Sequence, residues 1–314
     1  MQDPHPSKDV DKALQEVPLL VDIIERQPDS KETWYGHSIL TSTLFPANPP
    51  KEGTDFVSKS NGSYEYILEA GIDPKTRRRQ FPSGKYPRLI MAWMAKQIRA
   101  AGKRKTDTVD PEHRVITIPS MYRLLDELGI PYGGHTAVKV QEQLRLLLSS
   151  HISIRRTTGF SGKTFRDTVS LPLVEAVRFA EDNKDDSLSG ASFVLTEEVY
   201  RRLARESAPF DTRASRLLLS GRSVLPYDVY IWLVGSMKEL RHPLTVSWDW
   251  LYDRFGDGAM SMQNFRATFR RALQKVRQVY PGVNVADSRR GLTLFPSPTA
   301  VEVKHARRQL DGEH

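Results

Sequence analysis

Between Ser261 and Arg308 the chain carries ten Lys or Arg residues: Arg266, Arg270, Arg271, Lys275, Arg277, Arg289, Arg290, Lys304, Arg307 and Arg308. Only two acids, Asp287 and Glu302, oppose them. Ten minus two is +8, the formal net charge of all 314 residues. The excess charge is therefore local, and it sits on a readable shape. SMQNFRATFRRALQKVRQVYP has helical period, and VNVAD-SRRG-LTLFPS reads as a β-hairpin with basic residues at its tip. A basic helix followed by a basic hairpin is the arrangement with which a winged helix holds a duplex, helix in the major groove and wing on the backbone. Double-stranded DNA is the expected partner.

Composition agrees. The sequence pI near 9.5 favours a polyanion, and nucleic acid is the commonest partner of a basic chain. The competing reading is a solvated surface that happens to be basic. With no cysteine, there is no disulfide framework, thiolate zinc site or cysteine nucleophile. No apolar run approaches the roughly 20 residues of a membrane helix, and the start lacks a basic-then-apolar signal pattern. The expectation is a cytoplasmic protein with no membrane contact.

Residues 1–60 hold ten acids against six Lys or Arg and many prolines, which predicts an acidic, largely flexible segment ending in the linker PANPPKEGTD. Val10, Leu14, Val17, Val21 and Ile24 nevertheless recur at helical spacing, interrupted by Pro18. Such a helix either docks on the protein's own body or binds a partner.

Beyond the linker one order of elements occurs twice. YPRLIMAWMAKQIRAAG is a helix, VITIP a strand, SMYRLLDELG a helix capped by Ser120 and stopped by Gly129, and HTAVKVQEQLRLLLSS a further helix. HISIRR and TFRDTVSLPL alternate as wing strands. After EDNKDDSLSGAS and the lead-in FVLTEEVYRRLAR, the order returns: PYDVYIWLVGSMKEL, LTVS, WDWLYDRFG, the basic helix and the final hairpin. The expected fold class is α+β, with two tandem winged-helix domains, each bearing a small antiparallel wing sheet. The expected boundaries are 61–185 for a first unit that binds DNA or dimerises and 190–305 for the main DNA-binding unit. A basic tail, 306–314, follows.

TTGFSGKT, Thr157 to Thr164, nearly matches the phosphate-binding loop G-x-x-x-x-G-K-[ST]. Thr157 stands where glycine is needed, and TFRDTVSLPL alternates like a strand, whereas a phosphate loop opens a helix. A hairpin tip is the better account. The eight histidines include no H-x-H pair, and neither H-E-x-x-H nor G-x-S-x-G occurs. No enzymatic activity, metal or cofactor is expected.

Turned at 100° per residue, the basic helix puts Phe265, Phe269, Ala272, Val276 and Tyr280 on its core side. Gln263, Arg270, Arg271 and Gln274 face outward, flanked by Asn264, Arg266 and Arg277. Amides and guanidiniums read adenine and guanine edges, so Gln263, Asn264, Arg266 and Arg270 are the base-reading candidates. Arg271, Lys275, Arg277, Arg289 and Arg290 are phosphate candidates. In the first unit His135, Thr136, Lys139, Gln143 and Arg145 give the helix a mixed polar face. Lys139 and Arg145 are phosphate candidates there, with Arg155, Arg156, Lys163 and Arg166 on the wing. The run KTRRRQ, holding Lys75, Arg77, Arg78 and Arg79, is either a phosphate contact or a solvated turn.

SNGSYEYILEAG, FPSGKYPRLIMAWM, FVLTEEVYRRLA, PFDTRA and LPYDVYIWLVGSM resemble the RepA-type plasmid replication initiator family. So do VSWDWLYDRFG, NFRATFRRALQKVRQVYP and RRGLTLFPSP, so that the likeness runs from about Asp55 to Val303. The resemblance implies tandem winged helices that bind repeated origin sequences (iterons), promote origin opening and recruit a host replication initiator and the replicative helicase. It also implies plasmid copy control, with a homodimer through the first domain. It assigns DNA reading to the helix from Ser261 and the wing at Arg289 and Arg290, and burial to Trp93. The chain departs from the family in the insert AGIDPKTRRRQFPSG. A winged-helix transcriptional autorepressor without initiator activity is the alternative.

Overall fold

The structure is a computed structural model; it describes residues 8–61, 64–73, 76–160, 163–178, 189–258 and 260–301. Helix α1 (Lys8–Glu25) leads to strand β1 (Thr33–Gly36) and a buried π-helical turn (Ile39–Thr43). A hairpin of β2 (Phe56–Asn61) and β3 (Tyr64–Glu69) comes next, then the two-residue strands β4 (Gly71–Ile72) and β5 (Arg79–Gln80). The first round consists of α2 (Lys85–Ala101), β6 (Val109–Asp110), β7 (Val115–Thr117), α3 (Met121–Glu127) and α4 (Gly134–Ser149). The strands β8 (His151–Phe160) and β9 (Lys163–Pro172) follow as an antiparallel pair. Three strands and two helices intervene: β10 (Val174–Arg178), β11 (Ser192–Leu195), α5 (Glu197–Arg205), β12 (Ala208–Asp211) and α6 (Thr212–Leu218). The second round is α7 (Leu225–Glu239), β13 (Leu244–Ser247), α8 (Trp248–Phe255), α9 (Met262–Val279), β14 (Val285–Asp287) and β15 (Gly291–Leu294).

The local signals operate as read. Ser120, Ser247 and Ser261 cap α3, α8 and α9, each hydroxyl accepting from the backbone N–H three residues on. Gly129 ends α3 at φ 67°, where a Cβ would lie 2.6 Å from the Arg216 guanidinium. Trp93 is buried, and its indole N–H donates to Glu127 at 2.6 Å.

The halves are interleaved, which the sequence reading did not expect. β11, assigned there to the second unit, lies between β10 and β7 of the first. β1, assigned to the flexible segment, pairs antiparallel with β12, Trp34 opposite Phe210. Trp34, Ile39, Leu40, Leu44 and Phe45 are all buried. Much of the segment from Thr33 onward is thus core rather than flexible linker, because its apolar side chains fill the seam between halves. Helix α1 packs on α6 and α9 of the chain's own body. The buried Arg213 guanidinium ties it there, donating to Asp22 at 2.7 Å and to Asp211 at 2.7 Å. The hairpin-bearing sheets of the two rounds also differ: the first is four-stranded, ordered β2-β3-β8-β9, and the second three-stranded, ordered β13-β15-β14.

One ion pair spans the seam. Arg88 on α2 grips Asp228 on α7 with Nε and Nη2 at 2.8 Å each, and the side chains are only 2% and 7% exposed. The remaining guanidinium N–H groups donate to the carbonyls of Gly84 at 2.6 Å and Phe45 at 2.7 Å. The polar group is therefore satisfied throughout, the condition under which a buried charge is tolerated. Other cations cross as well: Lys59 Nζ donates to the Gly256 carbonyl at 2.7 Å, Arg254 Nη2 to the Ser38 carbonyl at 2.8 Å and Arg202 Nη1 to the Tyr66 hydroxyl at 3.0 Å. Burial pushes Lys59 down to about 8, so it remains mostly charged at neutral pH. Asp228→Ala leaves Arg88 buried without its counterion and is expected to lower unfolding free energy by about 3–5 kcal/mol. The double replacement Arg88→Met, Asp228→Leu should recover much of that loss in urea denaturation.

His37 makes the seam sensitive to pH. Its Nδ1 accepts from the backbone N–H groups of Ile39 and Leu40, both at 3.1 Å, so that nitrogen must be unprotonated. Burial pushes the imidazole below its ordinary 6.5. The unfolded chain thus binds the proton more readily, and stability rises with pH up to about 6.5 and falls as pH drops below it. Glu206, held down to about 2 chiefly by its contact with His37, loses its contribution only at lower pH, beginning near 4.5. Between about pH 7.5 and 5.5 the parent chain should lose stability to urea, and a His37→Asn variant should show a flatter profile over that window.

Candidate nucleic-acid interface

Helix α9 carries five cations (Arg266, Arg270, Arg271, Lys275, Arg277) and no acid. Phe265, Phe269, Ala272, Val276 and Tyr280 are buried as the periodicity predicts, joined by Leu273 and Val279. Phe265 and Phe269 meet Trp248 edge-on at 6.5 and 5.9 Å, which anchors α9 to the start of α8. The opposite arc exposes Gln263, Ala267, Arg270, Arg271, Gln274 and Gln278, with Asn264 and Lys275 beside it. Polar amides and guanidiniums around one small residue let the helix approach a groove floor closely.

The hairpin after α9 is fixed to the helix layer at several points. β13 pairs with β15 from Leu244↔Leu294 to Ser247↔Gly291. A Cβ on Gly291 would sit 1.9 Å from the Val246 carbonyl oxygen, so only glycine permits that approach. Ser288 closes the hairpin turn, its backbone N–H donating to the Gly291 carbonyl at 2.9 Å. The Trp248 indole N–H donates to the Ser288 carbonyl at 2.9 Å. Arg289 and Arg290 lie exposed at the tip between β14 and β15.

Several candidates from the sequence occupy other places. Arg270 forms an ion pair with Asp287 on β14 and stacks over Trp248 at 5.1 Å. Both contacts hold its guanidinium against the hairpin, and the Asp287 carboxylate raises its proton affinity. Arg266 is half-buried, also over Trp248 at 5.5 Å, and lies off the outward arc. Arg277 donates to the Val285 carbonyl at 2.5 Å. Gln263, Asn264, Arg271 and Lys275 are exposed, Arg271 bonding only its neighbour Thr268 at 3.2 Å among the bonds described. The periodicity located the arc correctly. The pull of Trp248 and Asp287 on the flanking arginines has no signature in it.

In the first round Lys139 is exposed on α4, whereas Arg145 is turned inward, its side chain 11% exposed and 4.0 Å from Asp73. Gln143 accepts from the Ser83 backbone N–H at 2.7 Å. Thus Arg145 is a packing residue, because the insert places Asp73 against it. Arg155 and Arg156 are exposed on β8, Arg155 pairing with Glu65 at 3.4 Å and Arg156 stacking on Tyr64 at 5.6 Å. Lys163 and Arg166 belong to β9, paired opposite Phe160 and Thr157, but their side chains lie outside the described residues. So do Lys75, Ser161, Gly162 and the tail 302–314. Arg77, Arg78 and Arg79 are exposed around a tight turn, Arg77 at φ 57°. The near-match to a phosphate loop runs into β9 rather than a helix, so helix N-terminal amides do not face it.

A family described as plasmid-encoded RepA protein matches residues 81–250, more than half of the 314. The chain belongs to the RepA family. The segments KYPRLIMAWM and LPYDVYIWLVGSM, which carry the resemblance, lie within the matched residues, while α9 and the hairpin after it lie beyond them. A crystal structure of domains 2 and 3 of RctB, from selenomethionine derivatives, is similar at 9% identity and TM-score 0.51, covering 84% of this chain and 99% of that one. That likeness supports the mixed helix-and-sheet α+β fold. A second crystal structure of RctB domains 2 and 3 has 10% identity and TM-score 0.44, with coverages of 82% and 94%. No curated protein matches the chain. Among the described residues no helix is long and apolar enough to cross a membrane.

The Arg270–Asp287 pair is partly exposed, at 45% and 30%, and such pairs are worth at most about 1 kcal/mol. Asp287→Ala in this RepA-family chain should therefore leave thermal stability nearly unchanged. Amide hydrogen exchange at Ser288–Arg290 should quicken, reporting a hairpin released from α9.

Proposed function

We propose that the chain is a plasmid replication initiator that binds repeated origin DNA through two winged-helix units, with α9 in the major groove. The observation that carries this reading is the acid-free outward arc of α9 beside a wing whose tip is Arg289–Arg290, within a chain of the RepA family. Gln263, Asn264, Arg271 and Gln274 are placed to read base edges. Arg266 and Arg270, drawn over Trp248, position α9 and the wing instead. Lys275, Arg289 and Arg290 contact phosphates, as do Lys139, Arg155 and Arg156 in the first unit. The first unit spans roughly 61–185, although β11 completes its sheet. Origin opening, recruitment of a host initiator and helicase, self-association through the first unit and copy control in the bacterial cytoplasm belong to this same proposal.

Replacing both Arg289 and Arg290 with alanine should weaken specific and random duplexes alike. It should also lower the slope of log affinity against log salt by about two. An unchanged slope places the hairpin tip away from DNA. Initiation is tested separately: the gene and its binding repeats should maintain a replicon that has no other origin. A chain that binds the repeats but fails to maintain that replicon is a transcriptional regulator.

A further inference from the structure

The two candidate reading helices differ in chemistry. Every exposed side chain on α9 is polar or, at Ala267, a single methyl. On α4 the buried residues are Val140, Leu144, Leu146, Leu147 and Leu148, so the second half of the helix is covered and its first half turns His135, Val138 and Lys139 outward, with Glu142 partly exposed beyond them. Val138, in the middle of that arc, is 59% exposed. Two further large exposed side chains lie just before it. Tyr122 on α3 is 65% exposed, Tyr132 in the α3–α4 turn is 64% exposed, and their ring centroids are 5.6 Å apart. Of the nine large exposed hydrophobic residues among those described, three fall between 122 and 138. The approach is open, since a Cβ added at Gly133 or Gly134 meets nothing within 4 Å.

Lys139 and Glu142 leave this arc nearly neutral, and exposed Lys139, next in sequence to Val138, sets a cation beside the apolar side chain. A neutral, partly apolar centre with a cation beside it suits a surface whose edges are phosphates and whose floor is apolar. In the major groove the apolar feature is the C5-methyl of thymine. We propose that α4 reads thymine methyl groups through Val138, with the Tyr122–Tyr132 pair forming an apolar wall beside it. The second unit reads hydrogen-bonding edges. This inference rests on the DNA-binding function proposed above and assigns a specificity to its first unit.

The test uses the full chain and the duplex it selects from a random pool. The chain has no cysteine, so a DNA-cleaving chelate attached at Asp126→Cys marks the segment that α3 and α4 face. Thymines are then replaced by deoxyuridine in that segment or in the remainder. Each methyl lost from the marked segment should weaken binding about fourfold, the transfer preference of one buried carbon. Val138→Ser, an exposed replacement, should bind the thymine and deoxyuridine duplexes equally. Equal affinity of the parent chain for both duplexes overturns the inference and leaves the proposed function intact. So does a Val138→Ser chain that remains sensitive to the methyl, or cleavage that marks no segment of a bound duplex. A chain that selects no sequence overturns both.

Discussion

Arg88 and Asp228 join α2 to α7 across the seam, and the shared core is organised around them. A buried carboxylate and guanidinium tolerate removal from water only when each hydrogen-bonding group is met. Here the carbonyls of Gly84 and Phe45 complete the set, so the chain segment leading from the π-helical turn is held by the same cation. Residues distant in sequence are thus committed to one arrangement. Trp34, Phe210, Tyr227 and Tyr230 pack within that same core.

Because β1 pairs with β12 and β11 with β7, neither half closes its sheets alone. The placement of α4 relative to α9 is then a property of the core rather than of a tether. His37 lies in the same seam, its neutral ring capping the π-helical turn while facing Glu206 at 3.5 Å. Acidification below about 6.5 therefore weakens the joint between halves.

Much of the candidate interface was legible in the sequence. The 3.6-residue period of α9 separated Phe265, Phe269 and Ala272 from Gln263, Arg271 and Gln274, and the serine caps and glycine stops bounded the helices. The hairpin after Val285 followed from alternation and the SRRG turn. Family membership was legible from segments in order, KYPRLIMAWM among them. Less legible were the roles of individual arginines. Arg266 and Arg270 lie near the outward face by phase alone, but Trp248 and Asp287 lie 17 to 22 residues away in sequence and draw them aside.

What the sequence determined by itself is local: which segments are helix or strand, which face of each is apolar, and where positive charge accumulates. These follow from short-range periodicity and capping, which need no knowledge of distant partners. Tertiary structure alone decided that Thr33–Phe45 is core, that β11 completes the first sheet, and that Arg145 turns toward Asp73. It also decided that Val138 stays uncovered. Each depends on what packs against a residue from far along the chain, and burial of a charge or exposure of an apolar side chain is set by that neighbour rather than by the residue's own type.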